Sequence, residues 1–191
     1  MAEFDPATLA FYASEAPNYA ASGPGGIGRH LDPFLERLAP GALVLELGCG
    51  SGRDAAHMEA LGFSVEPSDG VPEMAAQAET RLGRPVRVMR FDELDAVEAY
   101  DGVVAAYSLL HVPRAGLVGI LERVWRALKP GGWHVATYKT AGAKAATGWG
   151  AITTTPAKRN CAAFMPKPVT GPKSKPKPAK GAAMRAANRG L

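Results

Sequence analysis

The sequence predicts an α/β fold built on a mostly parallel, doubly wound sheet. Short apolar runs of strand length alternate with Ala- and Leu-rich segments of helical period across residues 41–138, which is the pattern of repeated strand–helix–strand units. The runs are apolar throughout rather than alternating, as parallel strands buried on both faces read. The first run enters three glycines at alternate positions, Gly48, Gly50 and Gly52, where a strand turns tightly into a helix.

Before that core, Thr8 to Tyr19 and Leu31 to Leu38 read as helices joined by a flexible Ser22–Gly26. Leu43–Leu47 is the first strand, and Ala55–Leu61 the helix after the glycines. A second strand opens at Phe63 and is expected to end early, because Pro67 removes a ladder hydrogen bond. A helix follows with Pro72 at its start, where proline's missing N–H costs nothing. A short β-branched strand lies around Val86–Val88, and a buried one runs from Tyr100 to Ala106. Arg114 to Leu128 reads as a helix with Leu117, Leu121, Val124 and Leu128 on one face. Gly116 and Gly119 weaken it by about 1 kcal/mol each. Lys129-Pro130-Gly131-Gly132 stops that helix, and Trp133–Tyr138 supplies a fifth strand.

A glycine loop between strand and helix lets a ligand approach the main chain, and the helix beyond it offers unpaired N–H groups to anionic atoms. The spacing departs from the dinucleotide fingerprint G-x-G-x-x-G, since Arg53 stands where its third glycine would be and Glu46 precedes the loop. Asp69 lies 21 residues after Gly48, where nucleotide-binding α/β folds place an acid on ribose hydroxyls. Glu66 is the competing carboxylate. Asp92 closes the third strand beside Phe91. Ser108-Leu109-Leu110-His111 forms a turn at the carboxyl end of the fourth strand, the end at which open α/β sheets bind ligands.

Glu46-Leu47-Gly48-Cys49-Gly50-Ser51-Gly52, Asp69-Gly70-Val71-Pro72-Glu73-Met74, the strand-end Phe91-Asp92 and Leu128-Lys129-Pro130-Gly131-Gly132 together resemble class I S-adenosylmethionine-dependent methyltransferases, over residues 41–138. The resemblance implies a Rossmann-like sheet in the order 3-2-1-4-5 and S-adenosyl-L-methionine as cofactor. It assigns cofactor contacts to Glu46, Gly48, Cys49, Gly50, Gly52, Asp54, Asp69, Gly70, Met74, Phe91, Asp92 and Tyr107. Asp69 would take the ribose hydroxyls and Asp92 the adenine amine, with Met74 or Phe91 against the base. The acceptor would be a small molecule. His111 is the candidate base, since histidine titrates near neutral pH; the alternative is a helix-entry histidine that packs locally. Tyr12, Tyr19 and His111 are candidates for the acceptor pocket, in a helical N-terminal segment (1–40) that the family lays over its site. No metal-ligand cluster is visible. A nicotinamide-dependent oxidoreductase is the alternative enzyme class.

The charges are segregated. Residues 1–138 hold 11 basic and 18 acidic residues, net −7, whereas residues 139–191 hold 11 basic and no acidic ones, net +11. The Pro-, Lys-, Ala- and Gly-rich 139–191 segment has no helical or strand period and is expected to be disordered. One reading is a basic arm for non-specific nucleic-acid binding; another is an inert tail on a truncated relic. A third follows from GC-rich codons read one base out of frame, which turn Lys into Glu and Pro into Ala and permit a glycine-rich turn, an amphipathic helix and a strand. On that reading a single-base frameshift near Thr140 replaced the family's last helix and antiparallel strand pair, so the final two strands are expected to be missing and the fifth strand to be an open edge. The N-terminus lacks a basic region and an apolar core, so no signal peptide is expected. No apolar run of about 18 residues suggests a membrane span. Two cysteines suggest no disulfide framework, and the expected location is the cytoplasm.

Overall fold

The computed structural model describes residues 4–22, 31–139 and 149–154. They fall within the unit Met1–Lys158. In chain order the elements are α1 (Pro6–Ser22), α2 (Leu31–Leu35), β1 (Leu43–Leu47), α3 (Arg53–Ala60), β2 (Ser64–Asp69), α4 (Pro72–Leu82), β3 (Arg87–Val88), β4 (Tyr100–Ala105), α5 (Leu117–Ala127), β5 (Leu128–Lys139) and β6 (Trp149–Thr154). Single 3-10 turns occupy Phe91–Glu93 and Leu109–His111. The strands form one sheet in the order β3-β2-β1-β4-β5-β6. The first five are parallel, as expected, and β6 runs antiparallel to β5.

The two faces of the sheet separate by the period-two alternation of strands. Val44 and Val104 join Leu31, Phe34, Leu35 and Met58 on the α2–α3 side. Leu45, Leu47, Val103 and Ala105 join Leu109, Ile120 and Val124 on the α5 side. Helix α1 lies against α4, with Ala16 buried beside Val71 and Met74.

Four local differences from the sequence reading have physical causes. Strand β2 does not end early: it continues through Pro67 to Asp69. Strand β3 pairs only with Ser68 and Asp69, so Pro67 lies where β2 has a partner on the β1 side alone, a place that tolerates a missing N–H. Helix α5 starts at Leu117, and its buried stripe is Ile120, Val124 and Ala127, while Leu121 is exposed. The Lys129–Gly132 segment does not precede β5 but interrupts it. Tyr100 pairs with Leu128 and Gly102 with Trp133, so four residues bulge out against one, with Gly131 at φ 85°.

The fourth difference is β6. No strand was expected after Tyr138, yet Trp149–Thr154 pairs with His134–Lys139 and covers the edge of β5. Averaging residues 139–191 by composition hid a local run of aromatic and β-branched residues that favours a strand. The other expectations for 139–191, and the glycines of the Ser22–Gly26 joint, lie outside the described residues.

Candidate active site

The carboxyl ends of β1, β2 and β4 converge on one cleft, and the backbone between them is stitched together strand by strand. The Gly48 and Cys49 N–H groups both donate to the Ser68 carbonyl, at 2.8 and 2.9 Å. The Ser68 hydroxyl donates 2.8 Å to the Glu46 carbonyl, and the Ser108 hydroxyl donates 2.6 Å to the Leu47 carbonyl. Gly48 adopts φ 73° and Gly50 φ 57°, left-handed values that glycine takes without steric cost. A Cβ on Gly48 would lie 2.5 Å from Ser108 Cβ, so no larger residue fits between the ends of β1 and β4.

Asp69 lies at the floor of the cleft, 8% exposed. Its Oδ2 accepts the Gly50 N–H and its Oδ1 the Val71 N–H, each at 2.9 Å. The second bond satisfies the N–H of Val71, which stands at the start of α4 without a side-chain cap. Burial raises the Asp69 pKa above the ordinary carboxylate value, and the two amides pull it back. Each oxygen keeps lone-pair capacity toward the cleft.

One wall of the cleft is built by Gly70, Met74, Arg90, Phe91 and Asp92. The Phe91 ring comes within 3.5 Å of the position a Gly48 Cβ would take. Both oxygens of Asp92 are held by the Arg90 guanidinium, Nε at 3.0 Å and Nη2 at 3.2 Å.

The cover is helix α1 with the residues just before it. Phe4, Asp5, Thr8, Leu9, Tyr12 and Tyr19 all line the cleft, facing Ala106, Tyr107, Ser108, His111 and Val112 from the β4 side. The Tyr12 hydroxyl and His111 Nε2 share a hydrogen bond of 3.1 Å. Edge-to-face contacts run from Tyr12 to His111 (5.3 Å) and from Tyr12 to Tyr19 (5.5 Å). Burial raises the Tyr12 pKa, so its phenol stays a proton donor. Tyr107 sits at φ 54°, held there by its N–H donating 2.7 Å to Thr137 Oγ1. A left-handed non-glycine residue costs on the order of 1 kcal/mol and persists where its surroundings fix it.

Of the residues singled out in the sequence, Gly48, Gly50, Asp69, Gly70, Met74, Phe91, Asp92, Tyr107, Tyr12, Tyr19 and His111 thus meet in one cleft. Glu46, Cys49, Gly52 and Asp54 do not line it. Glu46 is 2% exposed behind the glycine loop and accepts the Ala55 N–H. Its Oε2 has no hydrogen-bond partner among the described residues. Burial, with Asp54 and Asp69 nearby, raises its pKa well above the usual range. Cys49 packs with Ala75, Ala78 and Val86, and burial raises its thiol pKa. Gly52 sits under α4, where a Cβ would lie 3.1 Å from that of Ala78. Asp54 opens α3, where a negative charge complements the helix dipole. No group of metal ligands occurs among the described residues.

Sequence reasoning passed over Arg90 and Phe4 as individual site residues, and named Ser108 only as part of the turn that ends the fourth strand. Arg90 carried a signal, since a basic residue two positions from a site carboxylate can fork onto it. Phe4 carried none, because its contact with Arg90 is made across the fold.

Residues 44–132 match the model of a family described as a methyltransferase domain. Over 110 residues the chain is 34% identical to a ubiquinone biosynthesis O-methyltransferase of Xanthomonas campestris pv. campestris (strain B100), a match covering 53% of this chain and 45% of that relative. The chain therefore spans less than half the length of that curated relative. Among solved structures, the 1,6-didemethyltoxoflavin-N1-methyltransferase of Burkholderia thailandensis, with 1,6-didemethyltoxoflavin and S-adenosylhomocysteine bound, overlays with a TM-score of 0.60 at 23% identity, covering 71% of this chain and 62% of that one. The [4+2]-cyclase SpnF overlays with a TM-score of 0.58 at 20% identity, covering 71% and 61%. Both likenesses are of fold.

Proposed function

We propose that this chain, whose residues 44–132 match a methyltransferase domain, is an S-adenosylmethionine-dependent methyltransferase that binds S-adenosylmethionine and transfers its methyl group to a small-molecule acceptor. The observation that carries the reading is Asp69, oriented by the Gly50 and Val71 amides at the floor of a cleft whose loop tolerates no Cβ at Gly48. Bound there, S-adenosylmethionine would supply a methyl group on a cationic sulfur that is its own leaving group. The residues present fit that role. Asp69 would accept from the two ribose hydroxyls, Met74 or Phe91 would lie against the base, and Asp92 would accept from the exocyclic amine. Gly48 and Gly50 let the main chain approach closely.

The protein's remaining task is to aim an acceptor along the bond that breaks, and orientation of this kind supplies several kcal/mol of barrier reduction. Tyr12, Tyr19 and His111 form the acceptor side of the cleft. The Tyr12 hydroxyl and His111 Nε2, already hydrogen-bonded, take the acceptor's proton as a pair: the Tyr12 oxygen accepts it as the Tyr12 proton passes to Nε2. This arrangement suits an acceptor with a weakly acidic proton, a hydroxyl above all, in keeping with the O-methyltransferase name of the Xanthomonas relative. Helix α1 keeps water from the reacting atoms.

Isothermal titration with S-adenosylhomocysteine tests the cofactor half of this reading. Saturable binding is expected, weakened at least tenfold by Asp69→Ala, the loss expected for a hydrogen bond to a charged group. A folded protein that does not bind the ligand would overturn the reading.

A further inference from the structure

Arg90 is the one cationic side chain that lines the cleft among the described residues, and its ion pairs run to the turn that carries Asp92. Nε and Nη2 fork onto Asp92, Nη1 lies 3.0 Å from Glu93 Oε1, and the guanidinium carbon stands 4.7 Å over the Phe4 ring. The Arg90 and Glu93 pair also closes the 3-10 turn that carries Asp92, since the Arg90 N–H donates 2.8 Å to Glu93 Oε2. A single methylene links the Asp92 carboxylate to the backbone, and the fork from Arg90 sets the direction of its remaining lone pairs. A planar bidentate pair fixes a carboxylate's plane as well as its place.

We infer that Arg90 is a positioning residue for base recognition: it holds Asp92 in the plane needed to accept from the 6-amino group of adenine, and its stacking on Phe4 ties the N-terminal cover to that same subsite. The inference rests on the cofactor reading above and adds to it the source of the preference for adenine. A guanidinium beside Asp92 does not neutralise the contact, because each carboxylate oxygen can accept from more than one donor. Lysine cannot replace it, since an ammonium is a point charge that leaves the carboxylate free to rotate.

The test compares S-adenosylhomocysteine with its analogue bearing hydrogen in place of the 6-amino group, by titration calorimetry, on the wild-type chain and on Arg90→Ala, Arg90→Lys and Asp92→Asn. The wild type should prefer the amino ligand by about tenfold or more. Arg90→Ala and Arg90→Lys should both lose most of that preference, the affinity for the amino ligand falling toward that for the analogue, with thermal unfolding as the check on folding. Asp92→Asn should lose it as well. Retained preference in both Arg90 variants, with loss in Asp92→Asn, would overturn the role of Arg90 and leave the cofactor reading standing. An equal loss of both ligands in Arg90→Lys would also overturn it, by assigning Arg90 to the stability of the wall alone. A folded wild type that binds neither ligand would overturn the cofactor reading and this inference together.

Discussion

His134 lies buried in β5 with its Nδ1–H donated 3.0 Å to the Val103 carbonyl, and burial lowers its pKa to about 4. It is therefore neutral where an unfolded histidine, near pKa 6.5, is already taking up a proton. Between those two values the unfolded chain binds more protons than the folded one, so stability falls as pH falls, by up to about 1.4 kcal/mol per pH unit for this one group. The contribution is intact above pH 6.5 and is lost toward pH 4. Urea unfolding at pH 7 and pH 5 should show a steeper acid loss in the wild type than in His134→Gln. Equal slopes would mean that His134 is hydrated in the native state.

The same burial separates Glu46 from Asp69, two acids that flank one glycine loop. Both look ligand-facing in the sequence. Parity along β1 decides otherwise for Glu46, which shares a face with Val44 and so points toward α3. Asp69 ends β2, where the chain turns into the cleft. That distinction was legible from the period of the strand; the fork of Arg90 on Asp92 was legible only as a proximity.

At the scale of elements, α5 shows how a periodic pattern leaves two solutions open. Leu117, Leu121, Val124 and Leu128 make one helical stripe, and Leu117, Ile120, Val124 and Ala127 make another about one residue away around the helix. The second faces the sheet, because Gly116 starts the helix and β5 begins directly after Ala127. Leu121, Val118 and Trp125 are left exposed. Ile120→Ala should then cost about 2–5 kcal/mol, the range for emptying a packed aliphatic site. Leu121→Ala should cost less than about 1 kcal/mol, as surface changes do. Denaturant midpoints decide the matter, and similar losses for the two would place Leu121 in a buried contact. The same reasoning explains β2. A proline inside a strand argues against a central position, yet the neighbouring strand was too short to need that N–H, and the length of β3 was not written in the residues around Pro67.

Across the whole molecule, the α/β class and the cleft at the strands' carboxyl ends were legible from local rules repeated along residues 41–138, and the strand order from the family resemblance that the motifs there carry. The sheet's far edge was not, since β6 comes from a stretch whose surroundings are Pro- and Lys-rich. The fold alone does not settle the chemistry, as the overlay on a cyclase shows, so the extent of chain needed for binding becomes a separate question with a direct answer. Strand β6 pairs with six residues of β5, His134 to Lys139, and removing it bares a row of unpaired backbone groups that invites edge-to-edge association. A chain ending at Lys158 keeps that pairing and should stay monodisperse in light scattering, with the full chain's affinity for S-adenosylhomocysteine. A chain ending at Lys139 should associate at micromolar concentration while its glycine loop, Asp69 and Asp92 remain in the sequence. The Lys158 truncation also discards 8 of the 11 basic residues beyond Tyr138, so any salt-sensitive retention on DNA contributed by the tail should go with it. Were the Lys139 chain to remain monodisperse, β6 would not be what covers β5; were the Lys158 chain to lose the ligand, residues 159–191 would be part of the binding structure rather than an appendage to it.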